Sequence, residues 1–244
     1  MLFMGLDVGT QGVRCIVVND QGEVIAGNSI AFGKINTAKE SGQYRQNADD
    51  WWDAAAKTIS ACISEIKSRN FKAEEIASIS IDGTSGTIVP LDSEHKPRCD
   101  AFMYNDMRAR DEAITVHEVC GDLEIKMGLR FNASFSLPRI LWIKTNMPAL
   151  YEKTDVFAHQ ADYIVGMLTG EYNVSDYSNA LKTGYDLIDG CWPQCITGGL
   201  GIDAGKLPKI VAPGTPIGQV TRNAASALGL SERTIVVAGS TDGY

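Results

Sequence analysis

The sequence contains few of the residues that build metal centres or covalent cross-links. Its 244 residues include three histidines and six cysteines, and no two cysteines form a Cys-x-x-Cys pair. Structural zinc sites need Cys and His ligands at short, regular spacing, which this chain does not have. Scattered cysteines in a chain of this length are typical of buried thiols in a reducing compartment. The pattern argues against a zinc module and against a disulfide-rich secreted domain.

Long apolar runs and an excess of positive charge are also missing. No stretch approaches the roughly 20 apolar residues of a membrane-spanning helix, and the first residues lack the basic region of a signal peptide. Acidic residues outnumber basic ones by 30 to 22, which gives a net charge of −8. This balance argues against nucleic acids and anionic membranes as partners. We expect a soluble cytoplasmic protein, with 44% hydrophobic residues to build its core.

The first third of the chain has a clear strand and helix pattern. β-rich runs at 2–6, 13–18 and 23–31 are separated by glycine-containing turns, which predicts an antiparallel meander. A helix is predicted from Asp49 to Ser68, because apolar residues recur there at helical spacing. A buried strand is predicted at 76–81. With the helix predicted at 106–120, the order is therefore three strands, a helix, a strand and a helix.

The predicted helix presents one apolar stripe, formed by Ile59, Ile63 and Ile66 and continued by Trp52 and Ala56. Both tryptophans, at 51 and 52, are expected in the core. Further along the chain, the patterns predict helices, strands and a stretch of short elements and loops. The helices are at 106–120, 136–146 with Ser136 as its cap, 162–168 ended by Gly170, and 221–228 capped by Thr221; the strands are at 156–158 and 234–238; the loops are at 190–218.

A short motif between the first two predicted strands is the most informative part of the chain. It reads Asp7, Val8, Gly9, Thr10, Gln11 and Gly12. Small residues let backbone N–H groups approach an anion closely, and an aspartate at the strand end can hold Mg²⁺ beside that anion. An ordinary hairpin with a glycine turn has the same pattern. Arg14 is expected either to form an ion pair within the sheet or to border the anion site.

Four further motifs follow in order along the chain. They are Asp82-Gly83-Thr84-Ser85-Gly86-Thr87, Tyr104-Asn105-Asp106-x-Arg108-Ala109, Asp162-Tyr163 with Leu168-Thr169-Gly170-Glu171-Tyr172, and Gly239-x-x-Asp242. Together with the first motif, this series resembles the FGGY carbohydrate kinases from residue 2 to residue 244. Within that family, the segments at 81–87 and 178–182 look like the pentulose kinases of ribulose type. They look less like glycerol kinases, with an Arg-Glu pair near Ser85, or typical xylulokinases, with Met-His there.

The resemblance implies an α/β fold. It is a ribonuclease-H-like, actin-like ATPase domain with a mixed five-stranded sheet flanked by helices, and the predicted element order agrees with it. Residues 1–244 would form the N-terminal, sugar-binding domain. The family's C-terminal nucleotide-binding domain, with its adenosine pocket, is expected to be absent from this chain. We therefore expect the 244 residues alone to be inactive.

The resemblance also implies roles for particular residues. Asp242 would be the catalytic base and would contact the substrate. Asp7 would hold magnesium or its water shell and would also contact the sugar. Gly9, Thr10, Gln11 and Gly12 would bind the phosphates of ATP.

Sugar contacts are expected from Ser85, Asn179 and Lys182. For Ser85, a simple bulge between two buried stretches is a comparable alternative, and for Lys182 the alternative is an ordinary solvated lysine. Asp106 and Arg108 are expected to form a structural pair at a helix start. The three histidines show no ligand pattern.

The function predicted from these residues is ATP-dependent phosphorylation of a sugar hydroxyl, with Mg²⁺ as cofactor. The expected substrate is a ketopentose, ribulose first and xylulose second. One alternative is a non-catalytic sugar-binding or sensor domain derived from such a kinase. An actin-like or chaperone-like ATPase is another, although it does not explain Asp242 or the segment at 104–109. The sugar's identity and a homodimeric state are left open.

Overall fold

A computed structural model of the chain describes residues 1–33 and 42–241. The strands are β1 (Leu2–Val8), β2 (Gly12–Asn19), β3 (Val24–Ala31), β4 (Arg45–Gln46), β5 (Ile76–Gly83), β6 (Ile88–Leu91), β7 (Ala101–Phe102), β8 (Val156–His159), β9 (Val174–Asp176), β10 (Lys209–Val211), β11 (Pro216–Gln219) and β12 (Ile235–Val237). The α-helices are α1 (Ala48–Ser68), α2 (Arg110–Met127), α3 (Ser136–Asn146), α4 (Pro148–Lys153), α5 (Gln160–Thr169), α6 (Tyr177–Thr183) and α7 (Arg222–Leu228).

The central sheet is mixed, in the order β11-β12-β5-β1-β2-β3. The antiparallel meander of β1, β2 and β3 is confirmed, and β5 and β12 run parallel to β1 and to each other. The sheet has six strands rather than the predicted five. The additional strand, β11, comes from the glycine- and proline-rich stretch that was predicted as short elements and loops, and it pairs antiparallel with β12.

One face of this sheet forms the larger hydrophobic core. Alternate residues of β1 are buried against the helices, as the period of two requires. Helix α1 packs on that face with Trp51, Ile59, Ile63 and Ile66 fully or almost fully buried. The isoleucine stripe is thus confirmed. Trp52 lies at the edge of the stripe and is only partly buried, because the centre of the apolar arc passes through Trp51.

A second layer surrounds a smaller core. Strands β4, β7, β6 and β8 form a four-stranded sheet, and α2 and α3 contribute side chains to the same hydrophobic cluster. The Arg108 guanidinium lies 4.6 Å from the ring centroids of both Phe102 and Trp142. It also pairs with Asp106 at 2.7 Å, as expected. The pair lies before the helix, which begins at Arg110 rather than at 106 and continues, with a kink at Cys120, to Met127.

The predicted helix boundaries near caps are mostly correct. Helix α7 begins after Thr221, whose hydroxyl accepts from the Ala224 N–H at 3.3 Å. Helix α5 ends at Gly170, which has φ +84°. The cap predicted at Ser136 is wrong: Phe135 is the N-cap residue, and the buried Ser136 hydroxyl has no hydrogen-bond partner in the described part of the chain.

Strands β9 and β10 form a small parallel pair beside α6. None of the described helices is long and apolar enough to cross a bilayer.

Candidate functional site

Polar segments meet at the carboxyl ends of the parallel strands β1, β5 and β12. Asp7 and Asp82 are neighbours in the register of β1 and β5. The segment after β12 joins them, because Thr241 bridges to Gly83. In open α/β sheets this edge is where ligands bind. Asp242, the predicted catalytic base, lies outside the described residues.

The turn after β1 is closed by its own backbone. The Gly9 N–H donates to the Gly12 carbonyl at 2.9 Å. Gly12 also packs against the neighbouring strand so closely that a Cβ there would lie 2.4 Å from the Ile30 carbonyl oxygen. A glycine is therefore required at this position because of the close approach of two backbones.

The carbonyl groups of Thr10 and Gln11 accept hydrogen bonds from within the protein. The Thr10 carbonyl accepts from Gln46 Nε2 at 2.8 Å, and the Gln11 carbonyl accepts from the Phe32 N–H at 2.9 Å. Within residues 1–33 and 42–241, the N–H groups of Thr10 and Gln11 donate to no protein acceptor. Two available amides with their carbonyls tied back form a concave donor surface, which suits an anion.

Asp7 lies beside this turn. Its Oδ2 is 3.1 Å from Arg14 Nη1 across the β1–β2 ladder, and the two side chains are 40% and 77% exposed. The ion pair within the sheet, one of the two expectations for Arg14, is present. Asp82 uses Oδ1 to accept from the Gly83 N–H at 2.7 Å.

The two strand-end carboxylates, Asp7 and Asp82, fit a magnesium ion that is bound mainly through phosphates and water. Such ions take only one or two protein carboxylates. Among the described residues, no group of three or more His, Cys, Asp or Glu side chains could hold a metal on its own. Asp82 was not among the predicted site residues. Its sequence signal is its place at the end of a predicted buried strand, which pairs in register with the strand of Asp7.

A cavity of about 570 Å³ opens over the turn. Its lining includes all of the predicted phosphate-turn residues, neighbouring residues of β2 and β3, and one residue of the second layer. The lining residues are Asp7, Gly9, Thr10, Gln11, Gly12, Val13, Arg14, Ser29, Ile30, Ala31 and Tyr104. Tyr104, which is 38% exposed, was not predicted as a site residue. The cavity therefore has a backbone-amide side and an aromatic residue on its border.

The loop that carries Ser85 is held by buried hydroxyl groups. The Thr84 N–H and Oγ1 both donate to Gln160 Oε1, at 2.9 and 2.6 Å. The Thr84 and Thr87 hydroxyls lie 2.7 Å apart. Gly86 has φ +84°, and a Cβ on it would lie 2.5 Å from a backbone oxygen of Ser134. Ser85 remains half-buried at the tip of a tightly fixed loop.

Helix α6 carries Asn179 and Lys182, the other two predicted sugar contacts, and their side chains have different partners. Asp176 caps the helix and accepts from the Asn179 N–H at 3.1 Å and from Asn179 Nδ2 at 2.8 Å. Asn179 is only 1% exposed and does not line the cavity at Asp7. Lys182 Nζ lies 4.2 Å from the ring centroid of Phe135. The structure thus gives Asn179 a structural contact, and its contact with substrate stays a prediction.

A buried polar network lies behind α6. His159 Nδ1 is 2.8 Å from Asp162 Oδ2, and its Nε2 is 2.8 Å from Thr183 Oγ1. Burial, together with the charge of Asp162, raises the pKa of Asp176 above its ordinary range. Because Thr183 belongs to α6 and Asp162 to α5, the network holds these two helices together.

The segment after β12 is tied to the same helix. The Ser178 and Ser240 hydroxyls lie 2.9 Å apart. A Cβ at Gly239 would lie 1.8 Å from the Ile81 carbonyl oxygen, so this backbone passes directly over the end of β5. The residues immediately before Asp242 are therefore in contact with both β5 and α6.

The mixed six-stranded sheet with its flanking helices defines an α/β domain with the actin-like ATPase fold. The family model described as "FGGY family of carbohydrate kinases, N-terminal domain" matches residues 2–244, and the chain belongs to that family. It is 32% identical over 242 residues to a xylulose kinase from Bacillus subtilis (strain 168), covering 98% of this chain and 47% of that protein.

Solved structures share the fold. A xylulose kinase from Rhodospirillum rubrum has a TM-score of 0.90 at 23% identity, covering 99% of this chain and 49% of that one. A gluconate kinase from Lactobacillus acidophilus has a TM-score of 0.88 at 22% identity, covering 100% and 48%. The chain thus spans about half the length of the relatives that it matches.

Proposed function

We propose that the protein containing this chain transfers a phosphoryl group from ATP to a hydroxyl group of a ketopentose. The observation that carries the proposal is the cavity over the turn. Two available backbone amides, the Asp7 carboxylate and Tyr104 border one space of about 570 Å³. A phosphate group and a sugar hydroxyl would meet in such a space. Membership of a carbohydrate-kinase family supports this reaction.

The phosphate side of the proposed site uses backbone groups. The N–H groups of Thr10 and Gln11 donate to the oxygens of the transferred phosphoryl group, where negative charge is spread in the transition state. Asp7, together with Asp82, holds the magnesium shell. The cation, when bound, neutralises charge on the phosphates. Arg14 limits the freedom of the Asp7 carboxylate through their 3.1 Å contact.

The acceptor side uses side chains. Asp242 accepts the proton of the attacking hydroxyl group, as a carboxylate within hydrogen-bond reach would. Ser85 and Lys182 donate hydrogen bonds to other oxygens of the sugar. The contact between Ser178 and Ser240 supports this arrangement, because it ties the helix of Lys182 to the segment that leads to Asp242.

Xylulose is the first candidate substrate. The sequence favoured ribulose, but curated relatives that cover nearly the whole chain are named xylulose kinases. A gluconate kinase has the same fold, so the fold alone does not choose the sugar.

The test is an assay of the complete native gene product that contains these residues. ADP release is measured with xylulose, ribulose, gluconate and glycerol, and we expect the largest kcat/KM for xylulose. In Asp242→Asn, turnover should fall about 100- to 10,000-fold, because an amide cannot accept the proton. The KM for the sugar should change much less. Glycerol or gluconate as the best substrate would refute the ketopentose assignment, and near-normal turnover in Asp242→Asn would refute the base.

A further inference from the structure

Arg139 is an arginine in an unusual position. It lies on α3 and is only 1% exposed. Its guanidinium group donates to three backbone carbonyls, those of Gly86, Tyr104 and Ala133, the last at 2.8 Å. In the described part of the chain it makes no ion pair, and its Nε has no partner.

The three carbonyls belong to segments that are far apart in sequence. Gly86 follows Ser85 in the loop after β5, Tyr104 borders the cavity over the anion turn, and Ala133 precedes α3. A planar guanidinium presents several N–H donors in a fixed fork. Arg139 therefore bonds both the Ser85 loop and the Tyr104 segment, which are also joined by the Tyr104 N–H donating to Thr87 Oγ1 at 3.2 Å.

An apolar side chain could fill the space of Arg139 without burying a charge. Burial lowers its pKa to about 9, while the Asp106 carboxylate acts to raise it and Arg108 to lower it. The group therefore stays charged at neutral pH, at a cost that an apolar side chain would not have. Hydrogen bonds to a charged donor are stronger than neutral ones, which makes the fixed geometry of the three carbonyls stiffer.

We propose that Arg139 is a positioning residue for the sugar. By bonding the carbonyls of Gly86 and Tyr104 at once, it holds Ser85 and Tyr104 at the separation that the acceptor requires, without touching the acceptor itself. This rests on the proposed function. It predicts an effect on the sugar that is separate from any effect on ATP, because within the described residues the turn at 9–12 forms no hydrogen bond with Arg139.

The test compares three variants of the complete native gene product. Arg139→Met removes every donor, Arg139→Lys keeps the charge but replaces the fork by a single ammonium group, and Arg130→Met is the control. Arg130 is exposed and lies nearby in sequence. In Arg139→Met, the KM for xylulose should rise about tenfold or more, the loss that one unmade charge-assisted bond brings. Arg139→Lys should show a smaller rise, and Arg130→Met none.

Comparing the KM for ATP with the KM for the sugar separates a positioning role from general destabilisation. The KM for ATP should stay at the wild-type value in Arg139→Lys while the KM for the sugar rises. Xylulose should also raise the melting temperature of Arg139→Lys less than that of the wild type. Equal changes in both KM values, or an unchanged sugar KM in Arg139→Lys, would overturn the inference alone. A wild-type protein that phosphorylates none of the sugars would overturn the proposed function and this inference together.

Discussion

The two sides of the candidate site are built in different ways. The turn at residues 9–12, the proposed phosphate side and called the anion turn here, is local in sequence, presents backbone amides and follows the carboxyl end of β1. The proposed acceptor side draws on segments from β5, the Tyr104 region, α3 and α6. Those segments are joined by buried bonds, such as those of Arg139 and of the Thr84–Gln160 pair.

This contrast indicates which substitutions should damage each side. A backbone-made turn depends on glycines that permit close approach and is indifferent to most side chains. A side built from buried polar groups depends on every partner, because each unpaired group in the interior costs free energy. Four changes sharpen this comparison, in order of expected effect.

The largest effect is expected in the buried network behind α6. His159→Leu removes the ring partner of Asp162 and Thr183. It leaves a buried carboxylate that, among the described residues, keeps the bond from the residue 159 N–H. We expect the free energy of unfolding to fall by about 3–5 kcal/mol. Urea denaturation measures it. Thr183→Val, which removes one hydroxyl group, should cost only about 1 kcal/mol; equal losses in both variants would contradict the network's role.

The next effect is on the anion turn. In Gly12→Ala the new methyl group collides with the Ile30 carbonyl, so either β3 or the turn must shift. We expect a loss of about 1–3 kcal/mol in stability, as for other overpacked sites, and a higher KM for ATP with little change for the sugar. Gly27→Ala is the matched control, because its Cβ would have only ordinary contact at 3.8 Å. A similar ATP KM in both variants would show that the turn is merely a hairpin.

Lys182, which is partly buried with its Nζ beside the Phe135 ring, tests the acceptor side. Lys182→Ala should lower kcat/KM for xylulose roughly ten- to hundredfold, because the hydrogen bonds that the lysine donates to the sugar oxygens are lost. Glycerol should be affected less, since it lacks those oxygens. The ratio of the two specificity constants is the measurement, with the exposed Lys67→Ala as control. An unchanged ratio would remove Lys182 from the substrate site.

The smallest effect concerns Arg14. Its ion pair with Asp7 is largely exposed, and such pairs contribute only about 0–1 kcal/mol. Arg14→Ala should therefore leave the melting temperature almost unchanged. A modest rise in the magnesium concentration needed for half-maximal rate is expected, because the Asp7 carboxylate becomes less restrained. A large loss of stability would mean that Arg14 supports the sheet rather than the site.

The sequence predicted one side of this comparison far better than the other. The meander, α1 and the Asp7 turn were recognisable because their residues are close in sequence and follow simple periods. Strand β6 (Ile88–Leu91) is buried throughout and contains a proline, so it has no alternation to detect. The short helix α6 was missed because seven residues give too little periodicity.

The candidate site follows the same division. The spacing of the turn residues 9–12 predicts a phosphate contact, and all of them line the cavity, but the contact itself stays a prediction. Tyr104 and Arg139 are not predictable from spacing, because the cavity border and the three carbonyls that Arg139 bonds come together only in the folded chain. Asn179 was named for its position in a motif, yet it is buried against Asp176. A spacing pattern shows which residues are close along the chain, but not which of them face a cavity.

The parallel pairing of β12 with β5 has a consequence for the order in which the protein is made. Residues 235–237 pair with residues 78–80, so a long segment must be enclosed before this edge of the sheet exists. Synthesis begins at the N-terminus, and the β1–β3 meander with its glycine turn is complete once residue 31 has left the ribosome. The Gly239 segment can dock on β5 only after nearly all of these residues have emerged. During synthesis, therefore, the nascent chain has the turn at residues 9–12 long before it has strand β12 and the segment that follows it.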